Sequence, residues 1–210
     1  MCGVVGIVAK QSVNQEIYNA LTVLQHRGQD SSGIMTDDNG VLCQRKSNGL
    51  VADVFTNKHM LQLRGNIGIG HVRYPTAGSL SEVEAQPFYV NAPFGICLAH
   101  NGNLVNAEQL RNHLELIDRR HLNTESDTEA LLNLFAHELQ KNYTEDLTPK
   151  GIFQAVRGVF EKSSGGYAVI SMILNEGLVA FRSNHVFSAL IGLSGSNYER
   201  SNSVWISESN

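Results

Sequence analysis

The sequence predicts an α+β fold in which two antiparallel sheets face each other and helices cover the outer sides. Three observations carry this. Short apolar strand patterns open and close the 210-residue chain. Helical patterns, after one early example, are grouped in the middle. Hairpin turn signals outnumber strand–helix–strand units. The length suits one domain with a full core, and no linker, repeat or low-complexity block interrupts it.

The elements follow in order. Val4 to Val8 is β-rich and apolar enough for a buried strand. Ser12 with Gln15 has the form of a capping box, ahead of Val13, Ile17, Leu21 and Leu24 at helical spacing. Gly28, in HRGQD, ends that helix. Strands at 31–36 and 41–46 are joined by the turn Asp37-Asp38-Asn39-Gly40, a hairpin by its turn chemistry. GNIGIGHVRY alternates as a strand and leads into the turn-rich loop YPTAGSLSEVEAQP. GICLAH is a strand running into the turn HNGN. Asn106 with Gln109 starts a helix with Ala107, Leu110, Leu114 and Ile117 on its apolar face. Ser126 with Glu129 forms a second capping box, before Leu131, Leu132, Phe135 and Leu139. A last helix fits 150–161, and GYAVISMIL, GLVAF, HVFSALIGL and SVWIS read as successive strands.

Composition narrows the function classes. The net charge is −4, from 16 basic and 20 acidic residues, and no basic stretch exceeds the pair Arg119–Arg120, which argues against a nucleic-acid or membrane surface. The cysteines are Cys2, Cys43 and Cys97, an irregular odd set that fits a reducing compartment better than a disulfide framework. The first ten residues lack a basic leader and a long apolar region, and no run approaches a membrane span. The expected location is cytoplasmic. The eight histidines show no metal spacing, and GNIGIG is followed by a strand and not by a helix, so no metal or cofactor is expected.

Several stretches could carry chemistry. Removal of Met1 would put a thiol and a free α-amine on one residue, Cys2, giving a nucleophile and a base with a pKa near ~8. The same residue could simply be a small buried side chain starting a strand. In HNGN, the Asn101 amide and the Gly102 N–H could converge on a developing oxyanion, or the pair could be an ordinary Asn-Gly turn. Arg73, at a strand end, could hold a carboxylate through two hydrogen bonds or lie in a weak surface ion pair. Asp127, at a helix start, could bind an ammonium or satisfy the helix N-terminus. His71 and His100 sit next to strand ends and read as structural. Taken together, the features describe a site for a zwitterionic amino acid whose side chain carries an amide.

MCGVVGI, LTVLQHRGQDSSGI, GIGHVRYPTAG, EAQPFYV, LAHNGNLVNA and NTESDTEALL, in this order, resemble the glutaminase domain of the amidophosphoribosyltransferase family. These are class II, N-terminal nucleophile glutamine amidotransferases of purine synthesis. The similarity runs from Met1 to about Phe181, and HRGQD with HVRYPTAG fits this branch better than the glucosamine-6-phosphate or asparagine synthetases. The resemblance implies a four-layer αββα sandwich of the N-terminal nucleophile hydrolase type, one glutaminase domain over 1–210, and hydrolysis of glutamine to glutamate and ammonia through a Cys2 thioester. It places nucleophile and base on Cys2 and the oxyanion hole on Asn101 and Gly102. It places glutamine recognition on Arg73, Thr76 and Asp127, and sets Arg27 beside the nucleophile. The partners it implies are glutamine and a phosphoribosyltransferase or other synthase domain that accepts the ammonia.

Two departures stand against the family pattern. After Phe181-Arg182 the family typically reads Asp-Pro-x-Gly-x-Arg-Pro-Leu, whereas this chain reads SNHVFSAL; Val186 falls where a glycine is usual, and a β-branched residue is disfavoured at positive φ. No phosphoribosyltransferase domain and no phosphoribosyl-pyrophosphate loop appears in the sequence. The complete amidophosphoribosyltransferase reaction is therefore not expected from this chain alone, which reads as a truncated fragment, a split-gene subunit or a free relative. An uncovered last strand invites association, a homo-oligomer included. The alternative functions are a catalytically impaired or regulatory glutamine-binding module and a hydrolase of another amide, the latter opposed by the Arg73 and Asp127 pair.

Overall fold

The computed structural model describes residues 2–74, 82–143, 146–183 and the backbone of 203–207. One sheet has the order β1-β4-β2-β3, from β1 (Gly3–Val8), β2 (Ser31–Asp38), β3 (Val41–Asn48) and β4 (Ile67–Arg73), with every pairing antiparallel. The other has the order β5-β6-β7-β8-β9, from β5 (Phe88–Val90), β6 (Ile96–Leu104), β7 (Gly165–Ile173), β8 (Gly177–Arg182) and β9 (Ser203–Ser207). Its pairings are antiparallel except that β9 joins β8 in parallel. Helices α1 (Asn14–Leu24), α2 (Val51–Val54) and α3 (Asn57–Gln62) accompany the first sheet, and α4 (Ala107–Leu116), α5 (Asp127–Asn142) and α6 (Pro149–Lys162) the second.

Three apolar layers make this a four-layer αββα sandwich. Val13, Ile17 and Leu21 of the α1 segment pack on Ile34 and Val72 of the first sheet. Met35 and Ile69 meet Cys97, Ala99 and Met172 between the sheets. Leu131, Phe135 and Val156 cover Leu98, Val169 and Phe181 on the outside of the second sheet. The period-2 alternation of each strand thus sends one face to the inter-sheet layer and the other to helices. Among the described residues no helix is long and apolar enough to cross a membrane.

Local details correct several expectations. At α1 the Ser12–Gln15 box does not form: Val13 is the N-cap without a side-chain bond, and Asn14, the first helical residue, accepts from the Gln15 N–H at 2.8 Å through Oδ1 while its Nδ2 donates to the Met60 carbonyl at 2.7 Å. At α5 Ser126 does cap, accepting from the Thr128 N–H. Glu129 does not reach back to it, because its carboxylate accepts from the N–H groups of Asn123 and Thr124 at 2.9 and 2.7 Å. The β2–β3 hairpin is as expected, with Asn39 at φ 53° and Gly40 at φ 83°. Asp37 holds it: one carboxylate oxygen accepts from the Gly40 N–H at 2.6 Å and the other from the Asn175 N–H at 2.8 Å, in the β7–β8 turn of the opposite sheet.

The largest correction concerns HNGN. It is not a turn: β6 runs on through it to Leu104, with Asn101 opposite Ala168 and Gly102 opposite Tyr167. Helices α2 and α3 and the short strand β5 also appear without a sequence signal having marked them. HVFSALIGL lies outside the described residues. Ser183, just before it, donates its hydroxyl to the Gly165 carbonyl at 2.9 Å and accepts from the Tyr167 N–H at 3.0 Å, fastening the ends of β7 and β8 together.

Candidate active site

One end of the sandwich gathers Cys2 before β1, Arg73 at the end of β4, Asn101 and Gly102 near the end of β6, and Asp127 at the start of α5. Alternation explains which side chains meet. Val4 and Val8 of β1, Ile69 of β4, and Cys97 and Ala99 of β6 belong to the inter-sheet layer. Counting in twos puts Cys2, His71, Arg73 and Asn101 on those same inner faces.

Across that gap, the Cys2 N–H donates to Asn101 Oδ1 at 3.1 Å. A backbone N–H can only face the oxygen of an amide, so the contact fixes which way the Asn101 side chain points and turns its Nδ2 donors away from Cys2. Arg27, in the one-turn helix Gln25–Arg27 after α1, donates its Nε to the Cys2 carbonyl at 3.1 Å. The main chain of the candidate nucleophile is therefore held on both sides.

The Gly102 donor arises from strand geometry. Tyr167, its partner on β7, spends its own N–H and carbonyl on Ser183, so Gly102 points its N–H to the opposite edge of β6. Two residues either way, that edge is engaged: the His100 N–H donates to Gln86 Oε1 at 2.7 Å and the Leu104 N–H to Asp127 Oδ2 at 3.1 Å. Gly102 sits at φ 152°, and a Cβ there would lie 2.2 Å from the Gly166 carbonyl oxygen and 2.5 Å from the Tyr167 Cα. The position takes no side chain, which leaves the N–H approachable beside the inward-facing Asn101.

Electrostatics differ from residue to residue. Burial pushes the Cys2 thiol above its ordinary value, opposed by a hydrogen bond from the Tyr74 backbone and by the charge of Arg73. Burial would also raise Asp127, but the His100 imidazole, 3.6 Å away, and the N–H groups of Leu104 and Thr128 outweigh it and hold the carboxyl low. His100 Nδ1 and Thr128 Oγ1 share a hydrogen bond of 2.7 Å. His71 is fully buried, and desolvation, with the charges of His100 and Arg73, lowers it to about 3. It is neutral at pH 7.

Arg73 is not a surface arginine. It is 7% exposed, and its guanidinium meets Asp30 at 3.1 Å and Glu84 at 2.7 Å. Thr76 lies outside the described residues. The sequence reading assigned no role to Asp30, Glu84 or Gln86, although Asp30 stands in HRGQD and the other two in EAQPFYV, both blocks of the family resemblance. It also missed Lys46, whose Nζ donates to the carbonyls of Ala85 and Pro87 at 2.7 and 3.1 Å and so fastens the segment carrying Glu84 and Gln86.

Two antiparallel sheets flanked by helices, with the N–H of a cysteine at the head of one sheet on an asparagine of the other, have the fold of the N-terminal nucleophile amidotransferases. The chain belongs to the glutamine amidotransferase domain family, whose profile matches residues 56–163. Curated relatives are amidophosphoribosyltransferases: that of Pseudomonas aeruginosa is 56% identical over 91% of this chain, and that of Escherichia coli 58% identical over 87%. The one from Methanocaldococcus jannaschii is 41% identical over 94%. The chain spans 38%, 36% and 41% of the lengths of these three relatives. Among solved structures, an allosteric regulatory enzyme of purine biosynthesis matches with a TM-score of 0.69 at 35% identity, covering 82% of this chain and 35% of that one. The glutamine phosphoribosylpyrophosphate amidotransferase of Bacillus subtilis matches with a TM-score of 0.67 at 32% identity, with the same coverage.

Proposed function

We propose that the chain hydrolyses the side-chain amide of glutamine to glutamate and ammonia, as the ammonia-supplying domain of an amidophosphoribosyltransferase. The observation that carries this is the Cys2–Asn101 contact, which brings the Cys2 main chain to the Asn101 amide and orients that amide through its oxygen. Once Met1 is removed, the Cys2 amine takes the thiol proton and the thiolate attacks the amide carbon. The oxyanion forms between Asn101 Nδ2 and the Gly102 N–H. Collapse breaks the C–N bond, the amine's proton leaves with the nitrogen as ammonia, and a thioester remains. Water, giving a proton to the same amine, attacks the thioester; glutamate departs and the proton returns to sulfur.

In this reading Arg73 receives the substrate carboxylate and Asp127, kept ionised, its ammonium. Thr76 contributes to the same recognition, and Arg27 positions the nucleophile through its carbonyl. A phosphoribosyltransferase or other synthase domain would take up the ammonia.

The experiment is intact-mass analysis after incubation with a glutamine-analogue electrophile, alongside assays of ammonia and glutamate. Loss of Met1, a single adduct that glutamine competes away, and no adduct on Cys2→Ala are the expected results. A retained methionine, or trimmed protein that takes no adduct, would overturn the reading. The second reading is an impaired or regulatory glutamine-binding module. Glutamine binding without ammonia release would select it.

A further inference from the structure

We propose that Glu84 is an internal competitor for the substrate's carboxylate on Arg73, and so sets the affinity of the site for its amino-acid substrate. The inference rests on the reading of Arg73 as the carboxylate-binding residue. Its starting point is geometric. A buried guanidinium carries two carboxylates, Asp30 at 3.1 Å and Glu84 at 2.7 Å, with the side chains only 7% and 16% exposed. One cation shared by two anions already leaves a net negative charge in a poorly solvated place. A third carboxylate could not join without repulsion that the single guanidinium cannot offset. When a substrate carboxylate arrives, one of the two must leave.

The backbone decides which. Asp30 is built into the same sheet edge as Arg73: its N–H donates to the Arg73 carbonyl at 3.0 Å, its own carbonyl accepts from the Gly49 N–H at 2.9 Å, and the next residue, Ser31, pairs with Arg73 in the ladder. Glu84 belongs to no strand. It closes the one-turn helix Glu82–Glu84, whose Val83 is 61% exposed, and its carboxylate is the more exposed of the two. The residues after it are fixed, Ala85 through its carbonyl on Lys46 and Gln86 through its side chain on the His100 N–H. Release of Arg73 therefore needs only a rotation of the Glu84 side chain towards water, with its Cα held in place. Before substrate arrives, Glu84 fills the second carboxylate position on the Arg73 guanidinium beside Asp30; afterwards the substrate carboxylate does so.

A residue that merely positioned Arg73 would behave in the opposite way, and this makes the proposal testable. Glu84→Gln keeps the size and one acceptor but removes the charge, and Glu84→Ala removes both. Steady-state kinetics for glutamine, and calorimetric binding of glutamine to the same proteins carrying Cys2→Ser, would be compared with glutamine α-carboxamide, which has no carboxylate. The expected result is a fall of roughly three- to tenfold in KM and Kd for glutamine in both Glu84 variants, with the change on KM and not on kcat, and no change for the carboxamide. A rise or no change in Kd for glutamine, or an equal fall for the carboxamide, would overturn it. If no protein releases ammonia while the Glu84 variants still bind glutamine more tightly, the competitor stands and the glutaminase reading falls. If none of the proteins binds glutamine, both fall. Urea unfolding of each variant identifies any change that comes from lost stability.

Discussion

Asn101 and Cys2 stand on different sheets and meet at 3.1 Å, the side-chain oxygen of one accepting the main-chain N–H of the other. The bond does two things at once. It ties the start of β1 to the end of β6, and it turns the amide donors of Asn101 away from the Cys2 N–H.

Asn101→Asp is expected to keep the contact to the Cys2 N–H while replacing the outward donor by an anionic acceptor. Loss of one oxyanion donor costs about 3–4 kcal/mol, or 10²–10³ in kcat. Glutaminase kinetics should show that loss with little change in KM, and an unfolding midpoint close to that of the parent.

Gly102→Ala is expected to act on stability and on turnover together. The new Cβ would fall on the Gly166 carbonyl and the Tyr167 backbone, neither of which is a flexible side-chain end, at a φ that L-residues rarely adopt. A loss of about 2 kcal/mol or more in urea unfolding is expected, with activity below that of Asn101→Asp because the backbone donor itself moves.

Arg73→Met separates pairing from binding. It would leave Asp30 and Glu84 facing each other in a poorly solvated place without their cation. Breaking a buried pair from one side costs about 3–5 kcal/mol. Urea unfolding should register it at pH 7.

His71 gives the fold an acid-side weakness. Its pKa in the folded protein is about 3, below the ordinary 6.5, so between those values the unfolded chain binds the extra proton. The stability it contributes is complete above pH 6.5 and is lost as pH falls towards 3. From pH 7 to pH 5 that is about 2 kcal/mol by the same linkage. Unfolding in urea at the two pH values should show the drop, and His71→Asn should reduce it; an unchanged drop in the variant would place the titration elsewhere.

Much of this architecture was legible in sequence because its signals are local. Alternation in Ile67–Arg73 and in Gly165–Ile173, helical spacing along Leu131–Leu139, and Asn39-Gly40 each specify an element within a few residues. HNGN was not, for a physical reason. Whether an Asn-Gly pair turns or continues a strand depends on what lies beside it, here Ala168 and Tyr167 on β7, some 65 residues away. The capping boxes show the same limit: Glu129 bonds to the loop before its helix because that loop supplies nearer donors than the Ser126 backbone. In the site, Cys2, Asn101 and Asp127 could be picked out by residue type and position. The occupation of Arg73 by Glu84 could not, since it joins the two sides of a segment whose sequence signals only turns.

Asp37 deserves to be read as a piece of mechanics. Its two oxygens fasten the β2–β3 hairpin to the β7–β8 turn at the end of the sandwich remote from Cys2. The molecule is thus a pair of callipers, riveted at Asp37 and Asn175, whose jaws carry Cys2 on one arm and Asn101 on the other. The apolar layer between the arms resists both closing and sliding. The spacing of those jaws is therefore gauged by the whole length of the two sheets, and its tolerance is machined into the fold itself.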